Sequence, residues 1–142
     1  MNIIVDSNVL SITSIECFNK LSQISNSYLI DVRTKPEWEF IGVPDLSSLN
    51  KKTILISWHE YPEMNINKNF ETQVVAMKIK KNDNIFLICR SGTRSLHAAN
   101  HLLECGYQYC FNVSDGFEGY KNSLNQRSTI NGWKCNNLPW KQ

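Results

Sequence analysis

Apolar runs alternate with polar, helix-period stretches along the whole chain. Val9–Thr13 is a short strand candidate, and Thr13-Ser14-Ile15-Glu16 has the form of a capping box opening a helix to about Leu21. The run Tyr28–Val32 predicts a second strand, followed by Glu37–Phe40 as one or two helical turns with Pro36 near their start. Thr53–Trp58 reads as a strand of the fully buried kind. A loop at Asn65–Asn69 feeds a helix from about Phe70 to Met77, and Asn82-Asp83-Asn84 is a turn signal. Ile85–Ile88 is the most apolar strand of the chain, and Ser95–Glu104 is a helix stopped by Gly106. Tyr107–Val113 is the last strand, and Asp115–Gly119 is a loop. The alternation predicts an α/β fold, with a mainly parallel central sheet flanked by helices, as one domain over residues 1–142. From about residue 120, the tail with Trp133, Pro139 and Trp140 is expected to pack as an irregular cover.

Composition narrows the function classes. A chain of 142 residues, 42% hydrophobic and 20% charged, suits a globular protein with one core. The formal net charge is only +2, and Lys51-Lys52 and Lys78–Lys81 read as solvated loop ends, so no nucleic-acid partner is expected. The start, Met1–Asp6, has no basic leader region and no run is long enough to span a membrane; the expected location is the cytoplasm. Five cysteines (Cys17, Cys89, Cys105, Cys110, Cys135) at irregular spacings form no disulfide framework and no C-x-x-C pair.

One cysteine has distinctive surroundings. Cys89-Arg90-Ser91-Gly92-Thr93-Arg94-Ser95 follows the most apolar strand and precedes a helix, at the sheet edge where ligands bind in α/β folds. A tight glycine-containing loop turns successive N–H groups toward an anion. The helix start adds unpaired N–H groups and the positive end of its dipole. Arg90 and Arg94 add charge. Together these favour thiolate, with an expected thiol pKa below the unperturbed value of about 8.5. A strand–turn–helix link with an incidental cysteine is the plainer reading; strand, glycine, paired arginines and helix in one segment disfavour it.

The loop Cys89–Arg94 resembles the active-site loop of the rhodanese family of sulfurtransferases. Asp31-Val32-Arg33, Glu37 and Gly42-Val43-Pro44 are similar to its D-V-R…E…G-x-[IV]-P signature. Asn112-Val113 leading into Gly116 and Gly119 resembles its glycine-rich segment, and Gly132-Trp133-Lys134…Leu138-Pro139-Trp140 is similar to the ending of single-domain bacterial members. The chain departs from the pattern at Val43–Leu46 and at Trp58–Pro62, which bears on substrate choice. The resemblance implies a rhodanese-like domain that moves a sulfane sulfur from a donor such as thiosulfate to cyanide or a thiol through a Cys89 persulfide. It implies Cys89 as the catalytic residue and Arg90, Ser91, Gly92, Thr93 and Arg94 as the substrate-binding loop. Its partners would be a small anionic sulfur donor and a thiol or thiol-protein acceptor; no cofactor is called for. Related-fold phosphatases and arsenate reductases use C-x-x-x-x-x-R, one residue longer than the loop here. Non-catalytic rhodanese-like binding modules typically lack the cysteine.

Asp31 and Arg33 are either substrate contacts or a buried ion pair bracing the loop; the brace is favoured because such pairs are costly to break. His97, His101 and Cys105 share one helix face at metal-ligand spacing, but no fourth ligand lies nearby in sequence and no metal is assigned. Trp58, His59 and Tyr61 are either a pocket wall or packing and surface.

Overall fold

A computed structural model describes residues 9–142; the start Met1–Asp6, read above as lacking a leader, lies outside them. Its centre is a five-stranded sheet built from β1 (Leu10–Ile12), β2 (Ser27–Asp31), β4 (Ile54–Leu55), β7 (Asn84–Ile88) and β8 (Tyr109–Val113). The order is β1-β8-β7-β2-β4, and every pairing is parallel. Four helices accompany it: α1 (Ser14–Gln23), α2 (Lys35–Phe40), α3 (Phe70–Ala76) and α4 (Thr93–Glu104). The architecture is the expected α/β one.

Local chemistry accounts for several boundaries. Thr13 caps α1 through its hydroxyl, which accepts the Glu16 N–H at 3.2 Å, while Glu16 accepts the Thr13 N–H at 2.8 Å. α4 starts at Thr93, two residues before the sequence suggested, because Gly92 at φ +106° turns the chain directly into the helix. Gly106, at φ +100°, follows its end.

Both sheet faces are covered, which is why the inner strands are continuously apolar. Successive residues of β2 and β7 point to opposite sides. Ile30, Ile85 and Leu87 join Phe70 and Val74 of α3 and Ala98, Ala99 and Leu102 of α4 in one core. Leu29, Phe86 and Ile88 join Cys17 and Leu21 of α1 with Phe117 and Trp133 in the other.

The run Thr53–Trp58 contributes only Ile54–Leu55 to the sheet. Beyond them the strand drifts off its single neighbour: the Ile56 and Trp58 N–H groups reach the Asp31 and Val32 carbonyls at 3.2 and 2.9 Å. The chain then enters an antiparallel pair, β5 (His59–Glu60) with β6 (Asn65–Ile66). A second small pair joins β3 (Val43–Pro44) to β9 (Trp140–Lys141). Buried Asp115 accepts from the N–H and hydroxyl of Ser14, both at 2.8 Å, and from the Gly132 N–H at 3.0 Å. One carboxylate thus ties the start of α1 to the segment that carries buried Trp133.

Candidate active site

β7 ends at Ile88, and the chain turns through Cys89–Gly92 into α4. The turn is clamped by the segment that follows β8. The Phe117 N–H donates to the Cys89 carbonyl at 2.8 Å, and those of Glu118 and Gly119 to the Arg90 carbonyl at 3.0 and 3.2 Å. Gly92 is required twice over: its φ is +106°, and a Cβ there would lie 2.5 Å from the Ser114 carbonyl oxygen.

Two amides and a hydroxyl surround the Cys89 sulfur, which is buried at 1% exposure. The Gly92 N–H points at Sγ from 3.1 Å, the Ser95 N–H from 3.4 Å, and the Ser95 hydroxyl lies at 3.2 Å. Ser95 Oγ is also 2.6 Å from Asn112 Oδ1, and the Asn112 amide donates to the Gly92 carbonyl at 3.1 Å. A neutral thiol can donate into this chain, through Ser95 to Asn112. A thiolate can instead receive the Ser95 hydroxyl together with both amides. Both amides belong to the turn into α4, Gly92 at its cap and Ser95 in its first turn.

The two arginines diverge. Arg90 is exposed, and its guanidinium makes no hydrogen bond or ion pair with the described residues. Arg94 forms a two-pronged pair with Glu37 of α2, Nη1 to Oε1 at 2.7 Å and Nη2 to Oε2 at 3.0 Å. Burial opposes the charge on both, but the pairing wins: Glu37 is held at about 2, with Thr34 contributing, and Arg94 is raised above its ordinary value. Glu37 Oε1 also accepts from the Thr34 N–H and hydroxyl at 3.2 and 2.9 Å. Ser91 and Thr93 make no side-chain bond to Sγ.

Asp31 and Arg33 form a fully buried ion pair at 2.7 Å. Arg33 Nη2 also donates to the Gly42 carbonyl at 2.7 Å, and its guanidinium lies 4.3 Å from the Phe117 ring centroid. Asp31 stands opposite Ile88 in the sheet register, one residue before Cys89. The pair thus lies at the end of β2, held against Gly42 and Phe117.

Trp58, His59 and Tyr61 separate. Trp58 is core, edge-on to Phe70 with ring centroids 5.2 Å apart, and Tyr61 is exposed. His59 is half-buried; burial, then the nearby charges of Arg94 and His97, lower its pKa. A cleft of about 560 Å³ beside α2, lined by Trp38, Ser57 and Tyr61 among others, does not include Cys89. The groups that converge on Sγ lie outside the lining of this cleft.

Sequence reasoning missed Glu37, Ser95 and Asn112 as site residues. Thr34-x-x-Glu37 has the spacing of a helix start and Ser95 closes the loop segment, but their contacts with Arg94 and Cys89 arise only in the folded chain. Among the other cysteines, burial raises the thiols of Cys17 and Cys110, the latter to about 12.

The chain resembles known proteins over nearly its full length. The protein RP600 of Rickettsia prowazekii is 41% identical over 133 residues, 93% of this chain and 97% of that protein. The crystal structure of Rv0390 from M. tuberculosis superposes with a TM-score of 0.87 at 36% identity, covering 96% of this chain and 99% of that one. A rhodanese-like domain protein from Staphylococcus aureus shares the fold at a TM-score of 0.56 and 24% identity, covering 76% and 87% of the two chains. The model of the STR4 middle domain matches residues 10–142. With its mostly parallel sheet flanked by helices, the chain has the rhodanese-like fold and belongs to the STR4 middle-domain family.

Proposed function

We propose that the protein is a rhodanese-type sulfurtransferase in which Cys89 carries sulfur as a persulfide. The observation that carries this reading is the convergence of the Gly92 and Ser95 amides and the Ser95 hydroxyl on Cys89 Sγ. In the first step the thiolate attacks the outer sulfur of thiosulfate, the S–S bond breaks, and sulfite leaves with the bonding pair. In the second, cyanide or a thiolate attacks the outer sulfur of the persulfide and releases Cys89 as thiolate. The attacking species is the thiolate, which the Gly92 and Ser95 amides and the Ser95 hydroxyl are placed to receive, so this reading assigns no separate base. The loop amides hold the negative charge of thiolate and persulfide in turn.

The roles of the two arginines differ in this reading. Arg90, exposed and unpaired among the described residues, meets the anionic donor at the mouth of the site. Arg94, whose terminal nitrogens are engaged by Glu37, sets the position of α4 and supplies charge at longer range. Ser91, Gly92 and Thr93 contribute backbone to the anion cradle. The partners are a small anionic sulfur donor and a thiol or thiol-protein acceptor, in the cytoplasm. No helix among the described residues is long and apolar enough to cross a membrane.

The four-residue spacing between Cys89 and Arg94, one residue shorter than the phosphatase and arsenate reductase loop, supports this reading over those alternatives. Thiosulfate-dependent thiocyanate formation that disappears in Cys89→Ser is the expected result. Phosphate release from a phosphomonoester without thiocyanate formation would overturn it.

A further inference from the structure

Packing of α3 against α4 brings together three side chains distant from Cys89 in sequence. Glu71 of α3, His101 of α4 and Cys105 at its C-terminal end place one ligand atom each within 4.8 Å of one another. All three are half-buried. His101 Nε2 lies 3.6 Å from Cys105 Sγ. Tetrahedral zinc, with Zn–S of about 2.3 Å and Zn–N of about 2.0–2.1 Å, would set these two atoms roughly 3.5 Å apart. The sulfur and nitrogen already stand near that separation, and a Glu71 carboxylate oxygen lies within 4.8 Å of both.

The imidazole is held by its surroundings. Its ring centroid is 5.5 Å from that of Trp58 and 6.5 Å from that of Phe70, both buried. These contacts fix the ring plane while Nε2 faces the thiol. Lys81 is the cation nearby, but its ammonium donates to the Cys105 carbonyl at 2.7 Å and lies 4.0 Å from the Tyr107 ring centroid. A thiolate and a carboxylate together would neutralise a divalent ion, and a thiolate–imidazole–carboxylate set suits a borderline-soft one. His97, which shares the helix face by spacing, is exposed and outside the cluster; Glu71, contributed by another helix, stands in its place.

We infer that Glu71, His101 and Cys105 form a zinc-class divalent metal site that clips α3 to α4, with its fourth position open to water. On binding, the Cys105 thiol gives its proton to solvent and bonds the metal as thiolate. The site is independent of the sulfur-transfer reading.

Cobalt(II) is the direct probe, added to Cys89→Ser protein so that the loop thiol cannot compete. The expected result is a thiolate-to-cobalt charge-transfer band with tetrahedral visible bands, complete at one equivalent and displaced by zinc. Adding Cys105→Ser should abolish the charge-transfer band, and Glu71→Gln or His101→Gln should each weaken binding by about tenfold or more. Zinc should raise the melting temperature of the Cys89→Ser protein but not of the double variant. Equal melting of the proteins in chelator shows that the ligand variants fold. No band at one equivalent, or an unchanged band in Cys89→Ser/Cys105→Ser, would overturn the site.

Discussion

Three acceptors compete for the proton on Ser95 Oγ: Asn112 Oδ1 at 2.6 Å, the Gly92 carbonyl at 3.3 Å and, once ionised, Cys89 Sγ at 3.2 Å. The hydroxyl can therefore follow the charge on sulfur through the proposed transfer cycle while the two amides stay fixed. Removing it in Ser95→Ala should lower kcat on the order of 10²-fold, since a lost donor to a developing anion costs about that much. The same change leaves Asn112 Oδ1 without its donor, at about 1–3 kcal/mol of stability. Steady-state kinetics beside a denaturant titration separate the two effects; an unchanged kcat would remove Ser95 from the mechanism. Asp31 offers a contrasting case. Asp31→Ala strands the buried Arg33 guanidinium and should destabilise the protein by about 3–5 kcal/mol. Lost activity with an unchanged melting temperature would make Asp31 a substrate contact instead of a brace.

At the scale of elements, α2 and α4 meet through Glu37 and Arg94, so the start of the helix behind Cys89 is tied to a carboxylate 57 positions away in sequence. The folded pKa of Glu37, about 2, lies below its ordinary 4.5. A depressed carboxylate stabilises fully above the unfolded pKa and loses that contribution as pH falls through the folded one. Stability should therefore decline between roughly pH 4.5 and 2, by at most about 3 kcal/mol from this group. In Glu37→Gln the decline over that window should be shallower; urea titrations across it would show this, and parallel curves would refute it. Gly92→Ala tests the turn itself. With φ at +106° and the Ser114 carbonyl in the way, it should destabilise by about 1–3 kcal/mol and displace both amides from Sγ.

Legibility in the sequence follows the same division. The strands around Tyr28–Val32, Ile85–Ile88 and Tyr107–Val113 could be read because burial on both faces writes them as apolar runs, and α1 because its capping box is local. The pairs β3–β9 and β5–β6 could not, since two-residue strands carry no period and Val43–Pro44 finds its partner about 100 residues away. The Cys89–Arg94 loop was visible because its glycine and arginines sit beside the cysteine in the chain. Its supports were not: Glu37, Asn112 and the clamp from Phe117 to Gly119 reach the loop only through the fold. Glu71 joined His101 and Cys105 for the same reason.

For the molecule as a whole, a parallel sheet with both faces covered leaves its carboxyl edge as the place where side chains of several segments meet. Cys89 from the end of β7, the ion pair Asp31–Arg33 from the end of β2 and Asn112 from β8 all lie there. The central claim is that this edge carries sulfur on Cys89. Intact-mass measurement of the protein after brief treatment with thiosulfate tests it most directly. The expected result is a gain of one sulfur atom that is removed by cyanide or dithiothreitol and is absent in Cys89→Ser. An unchanged mass with thiosulfate and polysulfide alike, or an equal gain in Cys89→Ser, would contradict it.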